Sequence, residues 1–278
     1  MATDDPKLQM AVVSAMTDFL GEAFNSESVP SHIGTDRDLL VQRITGKDPY
    51  RELKTQSNAM ALAILPDLSR LTEEVESPDG RFRRAALIAA AANSIEFDVA
   101  GREFGLDELK HVIDSVESEL AIDDIDAFRG LCRGVKQVLY LLDNAGELVL
   151  DMILIREIRR LGPRVVAVVK GGPVLNDATA TDAAEVQLET CADEVMTTGT
   201  AAIGVILERS SEEFRSIFES AELIVAKGMG NYESLTEFDP SCPVVHIMRT
   251  KCPPVAQHVG VPRNRNVILV RYPKKWPV

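Results

Sequence analysis

The hydrophobic rhythm of the chain changes once. Up to residue 133, apolar residues recur at helical spacing. Leu8, Val12, Met16, Phe19 and Leu20 form one stripe, Leu53, Ala59, Leu62 and Leu65 ahead of Pro66 a second, and Phe82, Ala85, Ala86, Ile88, Ala89 and Ala92 a third. Spacings of three and four residues put each set on one face of an α-helix, and a proline is expected to end the second one. No Val- and Ile-rich run bounded by turns stands in this half, and residues 123–126 read as an acidic, solvated link. From residue 135 the texture becomes VKQVLYLL (135–142), RVVAVVK (164–170), DEVMTT (193–198), ELIVAK (222–227), PVVHIM (243–248) and NVILVRY (266–272). Helical stretches at 147–161, 178–190 and 211–220 intervene. Nearly continuous apolar strands alternating with helices predict a parallel sheet covered on both faces. The expected fold is therefore α/β, a doubly wound, mostly parallel, three-layer Rossmann-like sheet. An all-helical subdomain (1–133) would precede the α/β domain (134–278), whose site belongs at the carboxyl ends of the strands.

Composition narrows the function classes. The 278 residues, 45% apolar and 26% charged, suit one large globular domain or two small ones. A net charge of −13 opposes polyanions, so neither nucleic acid nor an anionic membrane is an expected partner. No run approaches the roughly 18–20 apolar residues of a membrane span, and the acidic start MATDDPKLQM lacks a basic-then-apolar leader. Cys132, Cys191, Cys242 and Cys252 are scattered without a C-x-x-C pair, and four histidines form no H-x-x-x-H pair. A cytoplasmic protein without a disulfide framework or a thiolate zinc site is expected.

The chemistry sits where strands are predicted to end. Asp143 and Asn144 follow the first strand of the second half, with Gly146 and then Glu147 opening a helix. Adjacent oxygen-bearing side chains suit a hard divalent cation, and the same residues also make an Asx turn or a helix cap. The next strand ends in Lys170-Gly171-Gly172 and leads to Asn176 and Asp177, open to the same two readings. A second Asp/Asn pair at the same sheet edge favours the metal. Lys227-Gly228-Met229-Gly230-Asn231-Tyr232-Glu233 follows a third strand, and its amides are placed to cradle an anion. It lacks the third glycine of a dinucleotide loop, and no Walker sequence occurs. Lys251 follows the strand at 243–248, where it is placed to meet a phosphate and reads equally as a surface cation. His246 and Cys252 beside it read as packing residues.

In this order, D-N-A-G-E, G-x-P-x-x-N-D-A-T, K-G-x-G-N-Y-E and K-C-x-x-V-A resemble the damage-control phosphatase family, long filed as a domain of unknown function. The likeness extends to Asp48-Pro49-Tyr50, Lys54, Ser57-Asn58 and the segment 91–97, and is greatest to compact, stand-alone archaeal-type members. It implies a divalent-metal phosphatase (Mg, Mn, Co or Ni) acting on small phosphorylated metabolites. Asp143, Asn144 and Asp177 would hold the metal and Lys251 the phosphate, with Asp143 and Lys251 catalytic. Asn93, Gly228, Asn231 and Glu233 would line the substrate site. The N-terminal cysteine motif of many archaeal-type members is replaced by MAVVSAMTDFL, and the usual G-N-x-I-D-F reads Ala92-Asn93-Ser94-Ile95-Glu96-Phe97. These departures bear on the entrance and on selectivity.

A cation held by the two aspartates would offset their charge before a phosphate arrives. Lys251 and the Gly228–Gly230 amides would meet the oxygens of a loose transition state. Asp143 is either a ligand alone or also a nucleophile. Glu147 and Asp151 lie one helical turn apart. Asp151 falls in the apolar run 148–155, where a carboxylate needs a partner, so both are read as supports behind the site. Two rival readings stand: an S-adenosylmethionine-dependent carboxyl methyltransferase, and a non-catalytic metabolite-binding module.

Overall fold

The computed structural model of the chain describes residues 2–92 and 106–274. Five helices come first: α1 (Pro6–Ala23), α2 (Pro30–Thr45), α3 (Arg51–Glu73), α4 (Pro78–Ala92) and α5 (Leu106–Ser118). α3 runs through Pro66, because Leu68 and Leu71 continue its buried stripe and their packing outweighs the lost backbone bond. Strand β1 (Leu120–Asp123) and helix α6 (Ile125–Gly134) follow. The expectation of a strandless first half is corrected here. The link read as solvated is a short edge strand and the start of a helix, and Asp124 caps the edge by accepting the Val270 amide at 2.9 Å.

The remaining elements are β2 (Gln137–Leu141), α7 (Glu147–Arg160), β3 (Arg164–Val169), α8 (Ala180–Glu185), β4 (Glu194–Thr197), α9 (Glu212–Glu219), β5 (Ile224–Lys227), α10 (Gly228–Thr236), β6 (Val244–Arg249), α11 (Pro253–Val259) and β7 (Asn266–Arg271). The helix expected over 178–190 is shorter, because Gln187 adopts a left-handed φ of 56° and separates α8 from a 3-10 turn at Leu188–Thr190.

The seven strands stand in the order β1-β7-β6-β5-β2-β3-β4. All neighbours pair parallel except β6 with β7. Both faces are apolar. On β2, Val138 and Tyr140 join the core beneath α3, α4 and α7, whereas Leu139 and Leu141 join the core beneath α9 and α10. Period-two alternation between two buried faces is why these strands read as continuous apolar runs. The alanines at 85–92 of α4, all buried, let α7 approach closely. The first core therefore contains residues of both halves of the chain, from Ala61 and Phe82 to Val165 and Leu223.

The winding reverses at β2. The chain steps from β2 to β3 and β4 on one side, then returns to lay β5 on the other. The loops after β2 and β5 diverge there, which leaves the crevice where doubly wound sheets place ligands.

Candidate functional site

Two loops meet at this crevice. The Asp143 carbonyl accepts the Ala178 amide at 2.8 Å, and the Asn176 carbonyl accepts the Ala145 amide at 2.9 Å. This bridge between Asn144 and Asp177 joins the loop after β2 to the loop after β3. From the other side, Gly228 takes φ 75°, and a Cβ there would collide with the Asp143 carboxylate. Only glycine combines that backbone with that approach. Gly146, at φ 80° and ψ −52°, turns the first loop into α7.

The side chains form one charged group. The Asn144 Nδ2 donates to Glu147 Oε1 at 2.8 Å and to Asp143 Oδ2 at 3.2 Å. Its Oδ1 has no protein partner among the described residues. Lys170 Nζ lies 3.6 Å from Asp177 Oδ2 and donates to the Gly204 carbonyl at 2.7 Å. Lys227, fully buried, donates to Asp151 Oδ1 at 2.7 Å and to the Ala89 carbonyl at 2.8 Å, with Glu147 Oε2 4.0 Å away. Tyr140 completes the Asp151 environment by donating its hydroxyl to Oδ1 at 2.9 Å.

Burial, then the neighbouring Glu147 and Asp177 carboxylates, push the Asp143 carboxyl well above its ordinary range, against the pull of Lys170 and Lys227. Burial likewise pushes Asp177 up to about 6 against Lys170, and Asp151 up to about 6 against Lys227. The crevice gathers four carboxyl groups, Asp143, Glu147, Asp151 and Asp177, around two lysines.

The helical half clamps both loops. On α3, Asn58 Oδ1 accepts the Gly146 amide at 2.8 Å, and its Nδ2 donates to Asp182 Oδ1 at 3.2 Å. Lys54 Nζ lies 3.2 Å from Asp48 Oδ2 and 3.6 Å from Asp182 Oδ2. Asp182 in turn caps α8 through the Thr179 amide (2.9 Å) and hydroxyl (2.6 Å). On α2, Asp38 accepts the Leu175 amide at 3.1 Å, Thr35 accepts the Ile203 amide at 2.9 Å, and Gln42 donates to the Pro173 carbonyl at 3.0 Å.

Of the residues singled out in the sequence, Asp143, Asn144, Asp177, Glu147 and Gly228 converge here, and Asp151 stands behind them. Asn231 is buried, and its Nδ2 serves the Leu142 and Lys227 carbonyls at 3.2 and 2.8 Å. Its Oδ1 is buried without a partner among the described residues. Glu233 is half-buried, which raises its carboxyl, and lines a separate, mostly apolar cavity of about 360 Å³ with Tyr232, Cys252 and His258. Lys251 is exposed; its amide donates to the Arg249 carbonyl at 2.9 Å and to Met229 Sδ at 3.3 Å, and its carbonyl accepts from Arg263 Nε at 2.7 Å. Asn93 lies outside the described residues. His246 packs edge-on against Tyr232, with ring centroids 4.9 Å apart. The sequence assigns Lys170, Lys227 and Asp182 no role; the signal of the two lysines is their place at the end of an apolar strand directly before glycine, and Asp182 has none.

Among the described residues no three His, Cys, Asp or Glu side chains form a ready cage for a metal ion. The donors offered are two carboxylates and one amide oxygen. That all-oxygen set suits a hard cation which keeps water or substrate oxygens for its remaining positions, and so does the surplus of carboxyl groups over lysines.

Residues 1–267 match the damage-control phosphatase ARMT1-like domain. The chain belongs to the damage-control phosphatase family. A damage-control phosphatase of Archaeoglobus fulgidus is 36% identical over 263 residues, covering 94% of this chain and 89% of that one. An uncharacterized protein of Methanocaldococcus jannaschii is 38% identical over 277 residues, covering 97% and 89%. The crystal structure of a DUF89 family protein from Pyrococcus horikoshii superposes with a TM-score of 0.85 at 31% identity, covering 96% of this chain and 91% of that one. The chain shares that fold, a mostly parallel seven-stranded sheet flanked by helices. No helix among its described residues is long and apolar enough to cross a membrane.

Proposed function

We propose that this damage-control phosphatase family member is a divalent-metal-dependent phosphatase of small phosphorylated metabolites. The observation that carries the reading is the pair of strand-end loops that hold Asp143, Asn144 and Asp177 together at the reversal of the sheet, with Gly228 packed on the Asp143 carboxylate. The relatives named damage-control phosphatases support the same reaction class.

Asp143, Asn144 and Asp177 would hold the cation, which when bound offsets their charge, polarises a phosphoryl oxygen and activates water. Glu147 keeps the Asn144 amide group turned by accepting Nδ2 at 2.8 Å, so that Oδ1 is the atom offered. Lys170 and Lys227 hold Asp177 and Asp151 ionised and fixed in place. Lys251, on the neighbouring loop after β6, would reach the substrate phosphate with its flexible side chain. The Gly228–Gly230 amides and Glu233 would line the path to it, together with Asn93. The medium is a reducing cytoplasm.

Hydrolysis of an aryl phosphate with Mg, Mn, Co or Ni tests the reading. Asp143→Ala and Asp177→Ala are expected to abolish metal-dependent phosphate release while the fold survives. Near-parent turnover in either variant overturns it, as does binding of S-adenosylmethionine to metal-free protein without any phosphatase activity.

A further inference from the structure

The buried stripe of α3 changes character along the helix. From Ala61 through Ile64, Leu68 and Leu71 it is apolar and joins the core shared with α7. The turns before it present Lys54, Ser57 and Asn58, all buried. The apolar part docks the helix. Docking alone therefore calls for no polar side chains ahead of it, and each is costly to bury without a partner.

Asn58 has partners at both loops of the crevice. Its Oδ1 accepts from the amide of Gly146, the residue that turns the loop of Asp143 and Asn144 into α7, at 2.8 Å. That amide has this one acceptor among the described residues. The Asn58 Nδ2 donates to Asp182 Oδ1 at 3.2 Å, and Asp182 Oδ2 holds the amide and hydroxyl of Thr179, just beyond Asp177. A chain from Gly146 through Asn58 and Asp182 to Thr179 thus runs beside the direct backbone bridge between the loops.

The centre of that chain has to be an amide. A primary amide carries an acceptor and a donor in one plane, whereas a carboxylate offers acceptors alone and an apolar side chain neither. Lys54 serves the far end, its Nζ lying 3.6 Å from Asp182 Oδ2 and 3.2 Å from Asp48 Oδ2. Its charge also reaches the site: burial pushes the Asp177 carboxyl up, and after Lys170 it is Lys54 that draws it back.

We propose that Asn58 is a positioning residue of the crevice, setting the separation of Asp143 and Asn144 from Asp177 through Gly146 and Asp182. The inference rests on the proposed metal site, whose donors come from those two loops. Because the backbone bridge persists without Asn58, its loss loosens the donor set and leaves the loops joined.

Two measurements on the full chain test it. Without metal, hydrogen exchange of the Gly146 amide, followed by NMR, is expected to quicken roughly 3–10-fold in Asn58→Leu, while the Ile64 and Leu68 amides keep their protection. Mn²⁺ alone, titrated by electron paramagnetic resonance, is expected to bind Asn58→Leu about 10-fold more weakly than the parent. Leu71→Ala, a core change in the same helix, is expected to lower the melting temperature and leave Mn²⁺ affinity unchanged. Asn58→Ala, which leaves room for water, replaces Asn58→Leu if the latter does not fold. Failure of both to fold assigns Asn58 to the fold alone and overturns the proposal. So does parent-like Mn²⁺ affinity, or unchanged Gly146 exchange, in a folded Asn58 variant. Mn²⁺ that fails to bind the parent, or binds Asp143→Ala as tightly, overturns the metal reading itself and this inference with it.

Discussion

Replacing Lys227 by Met puts the buried charge network to its hardest test. Lys227 is the cation on which Asp151 depends: its Nζ donates to Oδ1 at 2.7 Å, and both side chains are fully buried. The methionine fills a similar volume, so cavity loss is small and the effect is electrostatic. Removing one partner of a buried pair leaves the other uncompensated, which costs about 3–5 kcal/mol. In a chain of this size that lowers the melting temperature by roughly 6–20 °C.

The pH dependence separates this cause from ordinary packing loss. Burial already holds the Asp151 carboxyl near pH 6 against the pull of Lys227. Without the lysine it rises further. A carboxyl whose folded pKa lies above its unfolded value binds the proton more tightly when folded. Its contribution to stability is therefore present at low pH and lost as pH rises. The deficit of Lys227→Met should thus grow from pH 5 to pH 8, by up to ~1.4 kcal/mol per unit. Adding Asp151→Leu and Tyr140→Phe removes the orphaned carboxyl and the hydroxyl that served it, and should recover most of the loss. Urea denaturation followed by circular dichroism at the two pH values measures all three effects. A loss under about 1 kcal/mol that is flat with pH, or a triple variant no better than the single one, refutes the reasoning.

Two further outcomes follow from the geometry. Gly228→Ala forces an alanine to φ 75° and drives its Cβ into the Asp143 carboxylate; it should cost about 1–3 kcal/mol and lower aryl phosphate turnover about 100-fold, whereas parent-like turnover would show that Asp143 needs no fixed position. His246 is buried neutral, its pKa pushed down to about 3 by burial and then by Arg271, so its contribution is complete above the unfolded value near 6.5 and lost as pH falls toward 3. His246→Phe should therefore lose on the order of 3 kcal/mol less than the parent between pH 6.5 and 4, read from urea midpoints, and parallel slopes in the two proteins would count against a buried neutral ring.

What could be read in advance was whatever local pattern controls. β2 was legible because Val138 to Leu142 is buried on both faces and must be apolar throughout. The Asp–Asn and Asn–Asp pairs were legible because the ends of such strands face a crevice. β1 was not. Its four residues alternate between half-buried and exposed, and its partner Asn266–Arg271 lies far along the chain. The break after α8 depends on one left-handed residue, Gln187, whose type signals nothing. The support from α2 was equally silent, since Thr35, Asp38 and Gln42 form no motif and act only because the helix lies across the loops. Lysine is ordinarily a surface residue. That Lys170 and Lys227 are buried is a tertiary fact, visible in sequence only as their place between an apolar strand and a glycine.

The charge of the chain takes a different meaning at the crevice. A net −13 keeps the molecule away from polyanions, yet the proposed substrate is itself an anion. Around the reversal of the sheet, four carboxylates (Asp143, Glu147, Asp151 and Asp177) face two buried ammonium groups, Lys170 and Lys227. With all of them ionised, the balance is two negative charges, equal to what one divalent cation supplies. Neither lysine is free to meet a phosphate, because each is held to a carboxylate and a backbone carbonyl. Their service is to the acids. Under the proposed function, the attraction for an anionic substrate would come from a cation bound in front of them and from Lys251, the exposed lysine on the next loop. The acidic bulk and the phosphate-seeking site are thus compatible: the first acts over the whole surface, where salt screens it within about 10 Å, and the second over the few ångströms of one crevice.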